Sequence, residues 1–433
     1  MLRWVWSYSE RPRSPAAMTA QRGVKLERMR ALLAALNHPE REFPAVLVAG
    51  TKGKGSTAAM LSACLQAAGF RTGRYTSPHL INWRERTCID ALPISTDAVV
   101  GLAEPIRAAI EGLDPALDDP TTFEVGTAFA FVHFAREKVD VAVVEVGTGG
   151  RMDATNLLEP LVSVIAPISY DHTPTLGETL SEIAWHKSGI LRSGRPGILA
   201  PQVDEARLAV EREAATLGSP LEEIGRQWRW SAAGSGIRVA STHADFEPLE
   251  TDVALLGDHQ RDNATTAVAA LYALRPHFFV PRTALKKGLS TTVWPGRLQV
   301  LSHRPTVVVD GAHNAASADV LRAAIEKNFR FDRLHLILGL SAGKDAVGVL
   351  HALAPRATNV FVTRSHHERS ALPTELEPLV RSVAPETAVT LYDEVGPAVE
   401  AAIASAQDTD LVLVTGSLFL IGETLVWWRR SPR

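Results

Sequence analysis

Apolar residues recur along this chain with two alternating periods. Over residues 24–36, VKLERMRALLAAL, the positions Leu26, Met29, Leu32, Leu33 and Leu36 fall at helical spacing. Pro44 then precedes AVLVAG, a short continuous apolar run that predicts a buried strand, and a glycine-rich loop follows it. An alanine-rich helix is predicted over 56–68, another from Asp97 to Glu111, and a third over TTFEVGTAFAFVHFARE. VDVAVVEVG and LVSVIAPIS are again strand-length apolar runs. Uninterrupted apolar strands alternating with helices predict a parallel sheet covered on both faces.

The texture changes between about 226 and 258, where alternating, turn-rich sequence predicts a small antiparallel insertion or flap. A helix is predicted again over 261–274, and VWPGRLQVL then reads as a connection with Pro295 and Gly296 as its hinge. A second α/β series begins near residue 300 with TVVVDGAHN, RLHLILGL, NVFVTRS and DLVLVTGS. Each of these strands ends in a polar or glycine-bearing loop, which is where open parallel sheets bind ligands.

Composition narrows the picture. A chain of 433 residues is too long for one ordinary core. It is 46% hydrophobic and 21% charged, as expected of a globular protein. A net charge of -3 gives no electrostatic reason to expect nucleic acid or an anionic membrane as partner. Cys64 and Cys88 form no CxxC pair, so neither a zinc site nor a disulfide framework is expected, and a reducing cytoplasm fits. No apolar run approaches the roughly 18 residues of a membrane span. The segment 1–23 reads as a disordered leader, or as a start placed upstream of Met18.

The stretch VAGTKGKGSTAAM carries the first chemistry. A strand that runs into glycines and then a helix offers backbone N–H groups at the positive end of a helix dipole, which suits polyphosphate. Gly50, Thr51, Gly53, Lys54, Gly55, Ser56 and Thr57 make up this candidate phosphate loop, with Lys54 as its cation. Gly55 separates Lys54 from Ser56, which departs from the usual Gly-Lys-Ser/Thr order of ATPases and GTPases. The pattern therefore predicts an α/β protein. Residues 24–296 are expected to form a P-loop-containing, mostly parallel sheet domain with a small antiparallel flap, and 297–433 a second, smaller Rossmann-like α/β domain.

Glu145 ends VAVVEVG and His172 follows the next strand, so both are placed beside the loop as candidate magnesium ligands; a cap or a surface charge is the alternative for each. Leu180, Ile183, Ala184 and Lys187 share one helical face. A lysine there either snorkels to water or is neutralised by a partner or by chemistry. In the second half, Arg297 precedes a strand end that bears Asp310, His313 and Asn314.

In this order the motifs resemble the folylpolyglutamate synthase and dihydrofolate synthase family of the wider Mur ligase superfamily. The resemblance runs from about Leu26 to Glu423 and rests on VAGTKGKGST, YTSPHL, VVEVGTGGRMDATN, ISYDHTPTLGETLSEIAWHKSGIL, LLGDHQRDNATTAVAA, WPGRLQVL, VVVDGAHN, SAGKD and VLVTGSLFLIGE. It implies a ligase that uses ATP to activate a carboxylate as acyl phosphate, which the amine of L-glutamate then attacks. It implies magnesium held by Ser77, Glu145 and His172, and a carbamylated lysine at Lys187. It implies adenine contact from Asn263, phosphate contact from Arg297, and nucleotide contacts from Asp310 and His313. Thr122, Phe123, Glu124, Asp153 and Ala154 correspond to contacts on the pterin side of dihydropteroate or a reduced folate. Lys54, His172, Lys187 and Arg297 are the expected catalytic set, and the family resemblance implies a monomer.

The chain departs from the family pattern at Lys52, Thr148, Met152 and Ala315, where asparagine, two leucines and proline are usual. Three other readings compete. A cell-wall Mur ligase would be expected to carry a nucleotide-sugar domain ahead of the loop, where only about 45 residues stand. A P-loop switch would carry a base-reading NKxD motif, and a regulatory nucleotide-binding module would not hydrolyse ATP.

Overall fold

The computed structural model describes residues 2–7, 22–343 and 345–431. The expected leader lies mostly outside the described residues; within it Leu2–Ser7 is helical. The chain divides into two compact units. The first comprises the chain up to His79, Arg84–Ala254 and His259–Val293; the second comprises Leu80–Trp83, Leu255–Asp258 and the chain from Trp294 onward.

The first unit is built on eight strands: β1 (Ala45–Ala49), β2 (Thr72–Tyr75), β3 (Thr87–Ile89), β4 (Leu92–Pro93), β5 (Val141–Glu145), β6 (Val162–Ile165), β7 (Gly197–Leu199) and β8 (Leu221–Glu223). They are ordered β4-β3-β2-β5-β1-β6-β7-β8. From β2 to β8 every pairing is parallel, while β3 and β4 add an antiparallel edge. β1 is central, and all five of its residues are buried, which is why AVLVA carries no polar alternation. β5 and β6 flank β1, so the loop after β1, Glu145 at the end of β5 and the segment after β6 share one edge of the sheet.

The alternating region forms the expected small antiparallel sheet, with β9 (Trp228–Ala233), β10 (Gly236–Ser241) and β11 (Leu249–Thr251). The predicted helices appear as Arg22–Ala35, Lys54–Ala67, Thr96–Glu111, Thr122–Arg136 and Asp258–Leu274.

The second unit holds β12 (Gln299–His303), β13 (Thr306–Asp310), β14 (Leu334–Leu338), β15 (Asn359–Val362), β16 (Ala388–Leu391) and β17 (Leu411–Thr415), ordered β12-β13-β17-β14-β15-β16. All pairings but β12 with β13 are parallel. In this unit two elements differ from the sequence reading. Part of VWPGRLQVL is not a connection but the start of β12, which pairs along β13 as an edge strand. The strand β16 was not expected because its AVTL is only partly buried and lacks a continuous apolar run. No helix among the described residues is long and apolar enough to cross a membrane.

Candidate functional site

The loop after β1 is shaped by two glycines. At Gly50 (φ 145°) a Cβ would lie 2.7 Å from the Ala166 side chain, and at Gly53 (φ 78°) it would lie 2.5 Å from Asn263 Oδ1. Neither position has room for a side chain, and both need backbone angles that L-residues avoid. The N–H groups of Thr51 and Lys52 donate to Pro167 O at 2.8 and 3.1 Å, fastening the loop to the chain that leaves β6. Gly53 caps the helix Lys54–Ala67, so Lys54 and Gly55 already belong to its first turn, where amides have no partner within the helix. The inserted glycine thus sits in the helix rather than lengthening the loop.

Lys54 Nζ donates to Thr51 O at 3.4 Å and stands 3.8 Å from Glu145 Oε1. The other oxygen of Glu145, Oε2, accepts from Ser77 N at 3.2 Å. Glu145 is therefore a buried carboxylate between the loop's cation and the segment after β2. Ser77 is half-buried, and the His172 side chain is 57% exposed at the left-handed cap of the short helix Thr173–Leu176. Among the described residues no three His, Cys, Asp or Glu side chains converge as metal ligands. A single buried carboxylate beside the phosphate loop suits Mg²⁺, which prefers oxygen donors and shares its shell with phosphate.

Lys187 is settled by burial. It is 4% exposed, and its Nζ donates to Gly50 O at 2.7 Å, so it does not snorkel. Burial, reinforced by the charge of Lys54, pushes its ammonium down from the usual 10.5 to about 7, against a smaller opposing pull from Asp171 and Asp153.

The expected pterin-side residues stand at the start of the helix Thr122–Arg136 and in the loop after β5. Phe123 packs against Gly147, where a Cβ would meet its ring at 2.5 Å, and lies 6.0 Å from the Tyr75 ring. Thr122 Oγ1 is buried without a partner among the described residues. Two acidic members of the set have other work. Asp153 accepts from Thr148 N, Thr155 N and Thr155 Oγ1, which shapes the loop; burial raises its pKa. Glu124 accepts from Thr121 N in a capping box and from the guanidinium of Arg28. Their carboxylates act as internal fastenings, and Ala154 is buried beside Asp153.

Asn263 is buried and donates to Gln260 Oε1 at 3.0 Å, while Gln260 Nε2 donates to Ser56 Oγ at 3.3 Å. Gln260 was missed, although it stands in the GDHQRDN motif three residues before Asn263, on the same helix face. Thr57 Oγ1, in the loop's helix, is buried without a partner among the described residues.

In the second unit Asp310 ends β13 and accepts from Leu298 N at 2.8 Å and Ala312 N at 2.9 Å. His313 Nδ1 lies 2.9 Å from Gly311 O, and a Cβ on Gly311 would be 3.0 Å from Arg297 Nη1. Arg297, Asp310 and His313 are therefore gathered at one strand end.

The family described as the Mur ligase middle domain matches residues 48–271, and that described as the Mur ligase glutamate ligase domain matches 296–418. A dihydrofolate synthase/folylpolyglutamate synthase of Bacillus subtilis is 33% identical over 413 residues, covering 93% of this chain and 94% of the relative. The structure of Escherichia coli FolC in complex with DHPP and ADP superposes with a TM-score of 0.84 at 31% identity, covering 94% of each chain. A bifunctional folylpolyglutamate synthase/dihydrofolate synthase of Yersinia pestis, complexed with AMPPNP and Mn ion, gives 0.82 at 29% identity, covering 93% of this chain and 92% of that one.

Proposed function

Because the chain belongs to the Mur ligase family, among its dihydrofolate synthases and folylpolyglutamate synthases, we propose that it joins L-glutamate to the carboxylate of a pteroate or folate through an acyl phosphate. It is an ATP-dependent ligase. The observation that carries the reading is Lys54, held between the Thr51 carbonyl and Glu145 at the start of the helix that follows the glycine loop.

A carboxylate is a poor electrophile because oxide would have to leave. Transfer of the γ-phosphoryl of ATP to it supplies a leaving group, and the glutamate amine then forms the amide with release of phosphate. The transferred group spreads negative charge over its oxygens, so positioning and electrostatic stabilisation dominate. Lys54 and the first-turn amides, with Gly50, Thr51, Gly53, Gly55, Ser56 and Thr57 shaping the loop, supply fixed positive ends for that charge. Glu145, Ser77 and His172 would hold magnesium, which when bound neutralises phosphate oxygens. Arg297, Asp310 and His313 are proposed as nucleotide contacts of the segment 297–433. Asn263 is proposed to face adenine while its amide group is braced by Gln260.

Lys187 is proposed to carry a carbamate. Its amine, held near neutral pKa, attacks CO₂; the new N–C bond forms, one C=O pair moves to oxygen, and a proton leaves to water. A buried cation becomes an anion able to help hold a second magnesium. Thr122, Phe123, Asp153 and Ala154 are proposed to shape the pterin side, with Glu124 acting from beneath. The retained TTFE and RMDATN segments favour a pteroate-binding, bifunctional enzyme, working as a monomer in the cytoplasm.

The test is product mass analysis with dihydropteroate and tetrahydrofolate offered separately with ATP and glutamate. Both are expected to gain a glutamyl group. ATP hydrolysis that ignores both acceptors would instead indicate a switch.

A further inference from the structure

We propose that Arg28 is a positioning residue for the acyl substrate, acting through Glu124 without touching ligand; this rests on the reading that Thr122 and Phe123 line the pteroate side. Arg28, on the helix Arg22–Ala35, is 0% exposed. Arginine is almost never fully buried unless paired, and each of its three nitrogens has an acceptor here. Nε and Nη2 donate to Glu124 Oε1 at 3.2 and 3.0 Å, Nη2 donates to Oε2 at 2.9 Å, and Nη1 donates to Leu117 O at 2.9 Å. Glu124 Oε2 also accepts from Thr121 N at 2.6 Å, and Thr121 Oγ1 accepts from Glu124 N at 3.1 Å.

One guanidinium thus ties three pieces together: its own helix, the loop at Leu117, and the first turn of Thr122–Arg136. That turn presents Thr122, whose buried hydroxyl has no partner among the described residues, and Phe123, whose ring rests on Gly147 two residues beyond Glu145. Stability alone does not explain the choice of residues, because a buried ion pair replaced by apolar side chains is often neutral or better. What the bidentate pair adds is orientation, since a planar fork on a carboxylate allows one geometry. Arg28 fixes the direction of the turn, and the turn sets the floor for the pterin.

The test uses the full chain with ATP, glutamate and dihydropteroate. The double variant Arg28→Met/Glu124→Gln leaves no lone buried charge, and glutamine keeps the capping box. Its KM for dihydropteroate is expected to rise about tenfold or more, with a smaller change in kcat and ADP affinity within about twofold. Arg28→Lys keeps the charge but loses the fork, so a partial rise is expected; it gives the same readout if the double variant is unstable. An unchanged dihydropteroate KM, or a parallel loss of ADP affinity tracking a lower Tm, overturns the positioning role. Absence of wild-type turnover with both dihydropteroate and tetrahydrofolate brings down the substrate reading and this proposal with it. Unaltered KM in an active wild-type background overturns the role of Arg28 alone.

Discussion

Lys187 Nζ donates to the carbonyl of Gly50 at 2.7 Å, so a buried lysine is bonded to the first residue of the phosphate loop. Its pKa, lowered to about 7, leaves a large share of the amine unprotonated near neutrality, as carbamate formation requires. Activity is expected to fall on removal of CO₂ and to return with bicarbonate. Lys187→Ala is expected to be severely impaired and partly restored by short carboxylates. Indifference to both treatments would leave Lys187 as a plain hydrogen-bond donor.

The same shift has a signature in stability. With the amine at about 7 when folded and 10.5 when unfolded, the unfolded chain binds more protons between those values. Stability contributed by this group therefore rises with pH across that window, and below it the folded state carries the full penalty of a buried charge. In CO₂-free buffer, the Tm of the wild type relative to Lys187→Met is expected to climb from pH 7 to 10. A constant difference would show that the amine is not depressed.

Gly53 and Asn263 meet so closely that a methyl group cannot pass between them. Gly53→Ala adds that clash to the left-handed backbone penalty of about 1–2 kcal/mol. ADP binding is expected to weaken by about tenfold, since that factor corresponds to about 1.4 kcal/mol. Asn263→Ala removes the clash but not the strain, so in that background, which already lacks the proposed adenine contact, calorimetry should find that Gly53→Ala costs a smaller further factor in ADP affinity. No further loss there would assign the whole effect of Gly53→Ala to the clash with Asn263.

Much of this was legible because the periods are clean. AVLVA and VAVVE lie buried on both faces, so they read as continuous apolar runs, and the loop chemistry begins where they stop. The edge strands β12 and β16 were illegible for the opposite reason: partial burial leaves no pattern distinct from a connection. At the site, residue types pointed to the loop, Glu145 and Lys187, yet did not say which carboxylates bind inward. Asp153 and Glu124, pterin-side candidates in sequence, are also fastened to backbone and to Arg28, a role their residue types alone do not reveal. Arg28 itself was readable by the logic applied to Lys187, since it lies one helical turn before Leu32 on the apolar face.

Phe123 rests on Gly147 with no space for a Cβ. Gly147→Ala is expected to push the ring aside at a cost of about 1–3 kcal/mol, an overpacking penalty. Steady-state kinetics should show the dihydropteroate KM rising while the ATP KM stays near its original value. Equal shifts in both would remove Phe123 from the acyl-substrate side.

Glu145 takes a different kind of test, because it faces Lys54 on one oxygen and Ser77 on the other. Glu145→Gln keeps the size and an acceptor but removes the charge. If Glu145 serves the metal, the magnesium concentration for half-maximal rate should rise about tenfold or more, because hard cations favour carboxylate over amide oxygen. Lys54→Ala should behave otherwise, with the rate falling roughly 10²–10³-fold at any magnesium level as a fixed stabilising charge is lost. Titrating magnesium against both variants separates the roles. A magnesium midpoint unmoved in Glu145→Gln would mean that this carboxylate only orients Lys54, and the metal would then have to be sought without it.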